Sequence, residues 1–551
     1  MSDGFHRLER TKNVKRNVLF GLLQRCVSLL LPFAVRTVLI YRFGAEYLGL
    51  NSVFSSILQV LNLAEMGFGS AVTYSMYRPV AEGDRDGICA LLNAYRRIYR
   101  RIGVLIFCAG LALMPFLPLL IADTRVPGDL NLYLWYLIFL SDSVLSYLLY
   151  GYKSSIPYAF QRNDLLSRVD MALMVCKSAV QILVLTFTDS FYWYLLAFPA
   201  FTVLRNLAVS RMVSKHYPEF VCRGEISASQ REDLKEKVRG LLISKLCITS
   251  RNGIDSICIS AILGLRLVGM YNNYYYLMNA LVGVSMILCQ SMIPGIGNSI
   301  VTETVEKNYR DMRRFQFMYL VIAGWASACL LCLYQPFMRL WVGEQLMLPD
   351  SIMIILTVYF YLLKMGDMRW VYSEGAGLWW ECRYLMILEA VVNVVLNILF
   401  AYLWGVFGIA LATVISLFFV NFLGSSHILF RSYFKNGKLG EYFTDHLRYG
   451  LMALLCCGVT YACCRGVSAL VLAGGASVGD GIVVASAMAV DRLAELPRRM
   501  EVKELLIRIL VCLVLPPVCY WLTCHRTAEF QEAWRWMRSR QASSPEDKKD
   551  I

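Results

Sequence analysis

Soluble catalytic machinery is what this chain most plainly lacks. Five histidines occur in 551 residues, His6, His216, His427, His446 and His525, and all fall in or near predicted connectors, so no imidazole chemistry is expected within the apolar segments. There is no GxxxxGK[ST] loop to hold ATP phosphates and no HExxH to hold zinc, which excludes transport driven by ATP hydrolysis in this chain and excludes a metalloprotease. No stretch between apolar blocks is long enough for a glycosyltransferase domain. The loop 214–239 and the tail after His525 could dock partners. The apolar run after the basic N-terminus is too long for a signal peptide and lacks a small-residue cleavage site, so it is expected to stay. Acidic residues are also short, 40 against 54 Lys and Arg, leaving a formal charge of +14.

What is present is hydrophobicity. Apolar residues make up 57% of the chain and the mean hydropathy is +0.51, far beyond what a soluble core needs. They come in about fourteen blocks of bilayer-crossing length: 19–40, 50–76, 102–121, 132–150, 166–187, 191–213, 241–265, 271–293, 315–333, 352–372, 385–403, 406–430, 451–472 and 505–523. Hydrocarbon leaves no water to satisfy backbone amides, so blocks of this length read as helices. The expected fold is an all-α polytopic membrane protein.

The cations are sorted by loop. One side would receive Arg7 to Arg16, then Arg96, Arg97, Arg100 and Arg101, then Lys215 to Arg239, Lys307 to Arg314, and Arg431 to Lys438. The other side holds mainly Arg42, Arg125, Arg266 and Arg339, apart from a longer loop expected over 474–503. The positive-inside rule then puts both termini in the cytoplasm. Charge spread over successive membrane-flanking loops argues against nucleic acid as a partner and for anionic lipid headgroups. Eighteen cysteines lie mostly inside predicted helices, the densest group being Cys456, Cys457, Cys463 and Cys464, and they read as packing residues; neither metal nor cofactor is expected.

An offset of 220 residues brings Gly44 onto Gly264, Gly49 onto Gly269, Arg25 onto Lys245, Tyr99 onto Tyr319 and Tyr152 onto Tyr372. This predicts two six-helix bundles over 1–213 and 241–445, joined by a linker over 214–240, with an additional helix pair over 446–525 and a tail over 526–551. Six is even, so the repeats should run parallel, related by an axis along the membrane normal.

Charges inside the spans carry the functional information, because one at the bilayer centre costs roughly 2.5–3.5 kcal/mol even on the lenient insertion scale. Arg25 and Arg36 share the first span, about 20° apart around the helix. Lys245 occupies the equivalent span of the second half. Arg251 and Asp255 have ion-pair spacing; Glu65, Lys364, Asp367, Arg369, Asp142 and Glu389 complete the candidate set, and Asp170, Lys177 and Arg205 read as residues that pair with other charges, snorkel to an interface or lie near a helix end. Arg25, Arg36 and Lys245 together would make a cavity that suits an anion, phosphate above all.

Three stretches carry a family resemblance: PFAVRTVLIYRFGAEYLGLNSVFSSILQVLNLAEMGFGSAVTYSMYRPVAEGD from Pro32, SKLCITSRNGIDSICISAILGLRLVGMYNNYYYL from Ser244, and GDMRWVYSEGAGLWWECRYLMILEAVVNVVLNILF from Gly366. They resemble Wzx-like polysaccharide biosynthesis proteins, the oligosaccharide flippases of the multidrug/oligosaccharidyl-lipid/polysaccharide (MOP) superfamily. The resemblance covers roughly 15–430; the region after Asp445 departs from it. It implies a MATE/MOP-like fold, no enzymatic activity, and a substrate consisting of a short oligosaccharide on undecaprenyl pyrophosphate, turned from the inner to the outer face of a bacterial cytoplasmic membrane. Glycosyltransferases and the polymerase of the same pathway are the implied partners. Arg25, Arg36 and Lys245 are then candidates for the pyrophosphate, and Glu65, Arg251, Asp255, Lys364, Asp367 and Glu389 for coupling or for cavity ion pairs. A lipid II flippase and a multidrug/cation antiporter of the same superfamily remain the alternatives.

Overall fold

A computed structural model describes residues 10–62, 69, 72–73, 75–77, 79–80, 82–121, 131–160, 162–228, 230–232, 253–435, 437–479, 490–527, 529–532 and 534–535; for 10–19, 22, 294, 379, 468–479 and 490–500 only the backbone is described. Among these residues the chain is predominantly helical, with no strand. It is an all-α, multi-pass membrane protein. Among the described residues nine helices are long and apolar enough to cross a bilayer, and a tenth span arises if Leu132–Leu148 and Gly151–Ala159, bent by 57°, count as one. The 55-residue run Trp380–Phe434 within that set is itself broken at Gly405 (φ 59°, ψ −137°), a conformation that favours glycine.

The principal helices are α1 (Arg10–Phe43), α2 (Ala45–Leu61), α3 (Arg85–Leu113), α4 (Leu132–Leu148), α5 (Asn163–Phe187), α6 (Phe191–His216), α7 (Gly253–Leu263), α8 (Leu265–Thr302), α9 (Val305–Val342), α10 (Asp350–Met365), α11 (Asp367–Gly375), α12 (Trp379–Ile415), α13 (Leu439–Gly479) and α14 (Val490–Cys524). Their ends follow local chemistry. Asp84 accepts from the Gly87 amide at 2.9 Å and Asn131 from those of Tyr133 and Leu134, satisfying donors that the first helical turn leaves open. Basic residues crowd the last turn of α6, Lys215 and His216, where the helix dipole favours them.

The chain divides into two compact units, Met1–Asn272 and Asn273–Ile551. In the first, α1 packs along α5, α4 against α3 and α6, and α5 against α6. Trp135, Tyr136 and Tyr147 of α4 are fully buried there, and the Trp135 indole donates to Asn51 Oδ1 at 3.2 Å. In the second, α9 packs against α10, α13 and α14, α13 against α14, and α10 against α12. Large apolar side chains such as Leu30, Phe187, Tyr402 and Leu454 point outward, as a hydrocarbon solvent allows.

The glycines paired by the 220-residue offset adopt one conformation. Gly44 ends α1 with φ 97° and Gly264 ends α7 with φ 99°, a region nearly closed to residues with a Cβ. Five residues later, Gly49 and Gly269 sit where α2 crosses the start of α8: a Cβ on Gly49 would stand 2.1 Å from the Leu265 carbonyl oxygen, and one on Gly269 2.4 Å from that of Ala45.

Several expectations are corrected. The stretch 474–503 is not one long loop: α13 runs to Gly479 and α14 begins at Val490, so 474–479 and 490–503 are helical, while 480–489 lie outside the described residues. Nor do all histidines sit in connectors. His446 lies buried on α13, where Gln316 and the Met365 and Tyr442 carbonyls supply hydrogen-bond partners that the sequence does not reveal. Residues 217–227 run irregularly along α3, with Phe160 against Tyr217 and Phe220, Asn93 donating to the Gly224 carbonyl at 2.9 Å, and ion pairs Arg97–Glu225 at 2.9 Å and Arg223–Asp86 at 2.8 Å. Arg97 holds the exposed Glu225 carboxyl below its usual range.

Candidate functional site

In the first unit the buried charges separate into partnered groups and the arginines of α1. Arg205 on α6 grips Asp170 on α5 through two hydrogen bonds, at 2.7 and 3.1 Å. Asp142 on α4 accepts from Thr202 at 2.5 Å, while the Lys177 ammonium lies over the Phe198 ring at 4.0 Å. Asp164, fully buried, is held by Arg162 at 2.8 Å and Arg168 at 3.6 Å. Each of these carboxylates thus has a local donor or cation, as the cost of burying it demands.

Arg25 and Arg36 are both half-buried on α1. Among the described residues no carboxylate lies within ion-pair distance of Arg25, and its buried Nε has no hydrogen-bond acceptor. Arg36 lies close enough to the buried Tyr194 of α6 to act on its hydroxyl electrostatically. Asp255 on α7 is buried and accepts from the Tyr271 hydroxyl at 3.4 Å. Glu65, Lys245 and Arg251 lie outside the described residues.

In the second unit the break between α10 and α11 builds an ion pair. Lys364 occupies the last turn of α10 and Asp367 opens α11, so each charge faces the helix end that favours it. Their Nζ–Oδ2 distance is 2.6 Å with the lysine side chain 2% exposed. The same Asp367 oxygen accepts from the Tyr319 hydroxyl of α9, and Cys289 of α8 lies 3.9 Å from it. One carboxylate therefore joins four helices.

A second network surrounds Arg369, one turn along α11 and 6% exposed. Its guanidinium donates to both the backbone carbonyl and Oδ1 of Asn421, each at 2.7 Å, and Asn421 Nδ2 donates to Glu389 Oε2 at 2.6 Å. Asn421 stands in a π-helical segment, Ser416–Phe422, whose wider turn presents this backbone group sideways. Beyond it, Asn393 donates to Thr413 and Ser416, and Asn397 to Asn393, tying the two arms of the run broken at Gly405. Thus Lys364 and Asp367 meet directly, whereas Glu389 reaches Arg369 through an amide. Tyr319 and Asn421 are the participants that sequence reasoning passed over. The repeat marks Tyr319 by position alone, and nothing local distinguishes Asn421.

No protein-family model matches the sequence, and no curated protein matches it. Solved structures do. The inward closed conformation of the lipid II flippase MurJ superposes with a TM-score of 0.58 at 15% identity, covering 92% of this chain and 98% of that one. An inward-facing multidrug resistance MATE family transporter of the MOP superfamily gives 0.56 at 13% identity over 80% and 98%, and an outward-facing one 0.53 at 15% over 82% and 99%. This chain has their fold.

Proposed function

We propose that the protein is a MOP-superfamily flippase that carries an undecaprenyl-pyrophosphate-linked oligosaccharide across a bacterial cytoplasmic membrane for surface polysaccharide synthesis. The observation that carries the reading is Arg25. A half-buried guanidinium in an apolar helix, with no carboxylate partner among the described residues, calls for an anion from outside the chain. A pyrophosphate offers paired oxygens to the fixed fork of an arginine, and Arg36, on the same side of α1, doubles the positive field. Lys245 is assigned with them on its repeat position. In this reading the bundles over 1–213 and 241–445 rock to alternate access, and the tail of the carrier stays in lipid. Both termini face the cytoplasm, and glycosyltransferases and polymerase act before and after it. Asp255, Asp367 and Glu389, with Glu65, are the groups through which an ion could be coupled, while Lys364 and Arg251 hold such carboxylates in place.

Reconstitution tests this. Vesicles containing the purified chain should expose undecaprenyl-pyrophosphate-linked oligosaccharide on the opposite leaflet, and Arg25→Ala or Arg36→Ala at equal abundance should abolish it. Transport of lipid II alone would move the assignment to the lipid II branch. Unchanged glycan movement in both variants would remove these arginines from the mechanism.

A further inference from the structure

Three helices of the second unit bring cysteines to one point. Cys332 on α9, Cys464 on α13 and Cys512 on α14 are 0%, 0% and 1% exposed, and their sulfurs all lie within 4.8 Å of one another. Cys329, one turn before Cys332 in a Cys-Leu-Leu-Cys sequence, packs against the trio with its sulfur 3.9 Å from the Cys512 carbonyl oxygen. All four are free thiols rather than disulfides.

We propose that these thiols form a metal site, taking one soft or borderline cation of the Zn²⁺/Cu⁺ class and fastening the C-terminal helix pair to α9. The geometry suits it. Metal–sulfur bonds of about 2.3 Å at tetrahedral angles put the sulfurs about 3.8 Å apart, so the trio needs to close only slightly, and Cys329 stands beside the remaining position. The chemistry suits it too, since thiolates select this class of ion over hard cations. Three separate helices, α9 and the consecutive α13 and α14, supply the ligands, as in a cross-link rather than a packing accident along one helix.

The surroundings handle charge. Each ligating thiol gives up a proton when the metal binds, leaving an anionic cluster that needs a cation nearby. Arg508, one helical turn before Cys512, donates to the Cys332 carbonyl at 3.0 Å and pairs with Glu504 at 2.7 Å. Both side chains also line a polar cavity of about 130 Å³, with Tyr461, Arg465, Gln335 and Asp350, so polar groups lie next to the cluster through Arg508. Glycan transport does not use this cluster, so the proposal stands independently of it.

The test uses full-length protein purified under a non-chelating reductant. Elemental analysis after dialysis against Zn²⁺ should find one equivalent in wild type and in the control Cys463→Ser, whose thiol is exposed on the same helix. Titration with Cd²⁺ should give a saturable thiolate charge-transfer band at one equivalent, and with Cu⁺ in place of Zn²⁺ should separate the two ions of the class. Cys464→Ser and Cys512→Ser should lose affinity at least tenfold, and the metal should raise the thermal midpoint of wild type but not of these variants. If either variant fails to fold, protection of three or four wild-type thiols from alkylation, reversed by a chelator, still supports the site. Failure of wild type to take up a stoichiometric ion, equal uptake by Cys464→Ser, or a disulfide within the trio in protein kept reduced overturns it.

Discussion

Gly49 and Gly269 exchange roles under the 220-residue repeat. Gly49 is pressed onto the carbonyl of Leu265, and Gly269 onto that of Ala45, the residue equivalent to Leu265. The contact maps onto itself, as it would across a two-fold axis, and both helices approach with backbone against backbone because neither carries a side chain there. Small residues are how helices in lipid gain close packing without a hydrophobic driving force.

Gly49→Ala and Gly269→Ala should therefore each destabilise the protein, by about 1–3 kcal/mol, since the new methyl meets backbone that cannot rotate away. Thermal midpoints in detergent check this. A midpoint for Gly49→Ala equal to wild type would sink the close-contact reading.

Lys364→Ala takes the direct cation from the largely enclosed Asp367 and leaves the Tyr319 hydroxyl and a thiol beside it. Loss of one partner of a buried pair should cost roughly 3–5 kcal/mol, whereas Lys364→Met combined with Asp367→Leu should recover most of that. If the pair also couples an ion, the double variant will be stable and inactive in the vesicle assay. Stability and transport measured together separate the two roles.

Asn421→Ala should be more damaging than Asn397→Ala. The first takes from Arg369 and from Glu389 one hydrogen bond each to a charged group, worth about 1.5–3 kcal/mol, while the backbone bond of Arg369 to residue 421 remains; the second removes the neutral Asn397–Asn393 bond, worth about 1 kcal/mol. The order of the two thermal midpoints is the measurement, and a reversed order refutes the bridging role of Asn421.

The clasp of 217–227 on α3 should depend on pH in one direction. The folded Glu225 carboxyl titrates below its usual range because Arg97 favours the charged form, so its contribution is present above that range and fades as pH falls through the lowered value. Amide exchange in 221–227, corrected for intrinsic rates, should stay level from neutral pH down to the ordinary glutamate range and rise only below it. Glu225→Gln should show the faster exchange at neutral pH, and the difference should close as pH falls through the lowered value.

Much of the molecule is legible without coordinates. The all-helical state that hydrocarbon imposes on the apolar blocks, and the matched glycines at 44, 49, 264 and 269, follow from local pattern and internal repetition. The pairing of Lys364 with Asp367 is nearly so, being three residues apart. What the chain could not declare is which faces meet. In a soluble protein polarity marks the outward face of a helix, but between two apolar helices in lipid that contrast is gone, and partners from distant segments carry no shared signature. Only tertiary packing brought Asn421 between Arg369 and Glu389, enclosed His446, and gathered Cys332, Cys464 and Cys512 from helices far apart in sequence into one cluster.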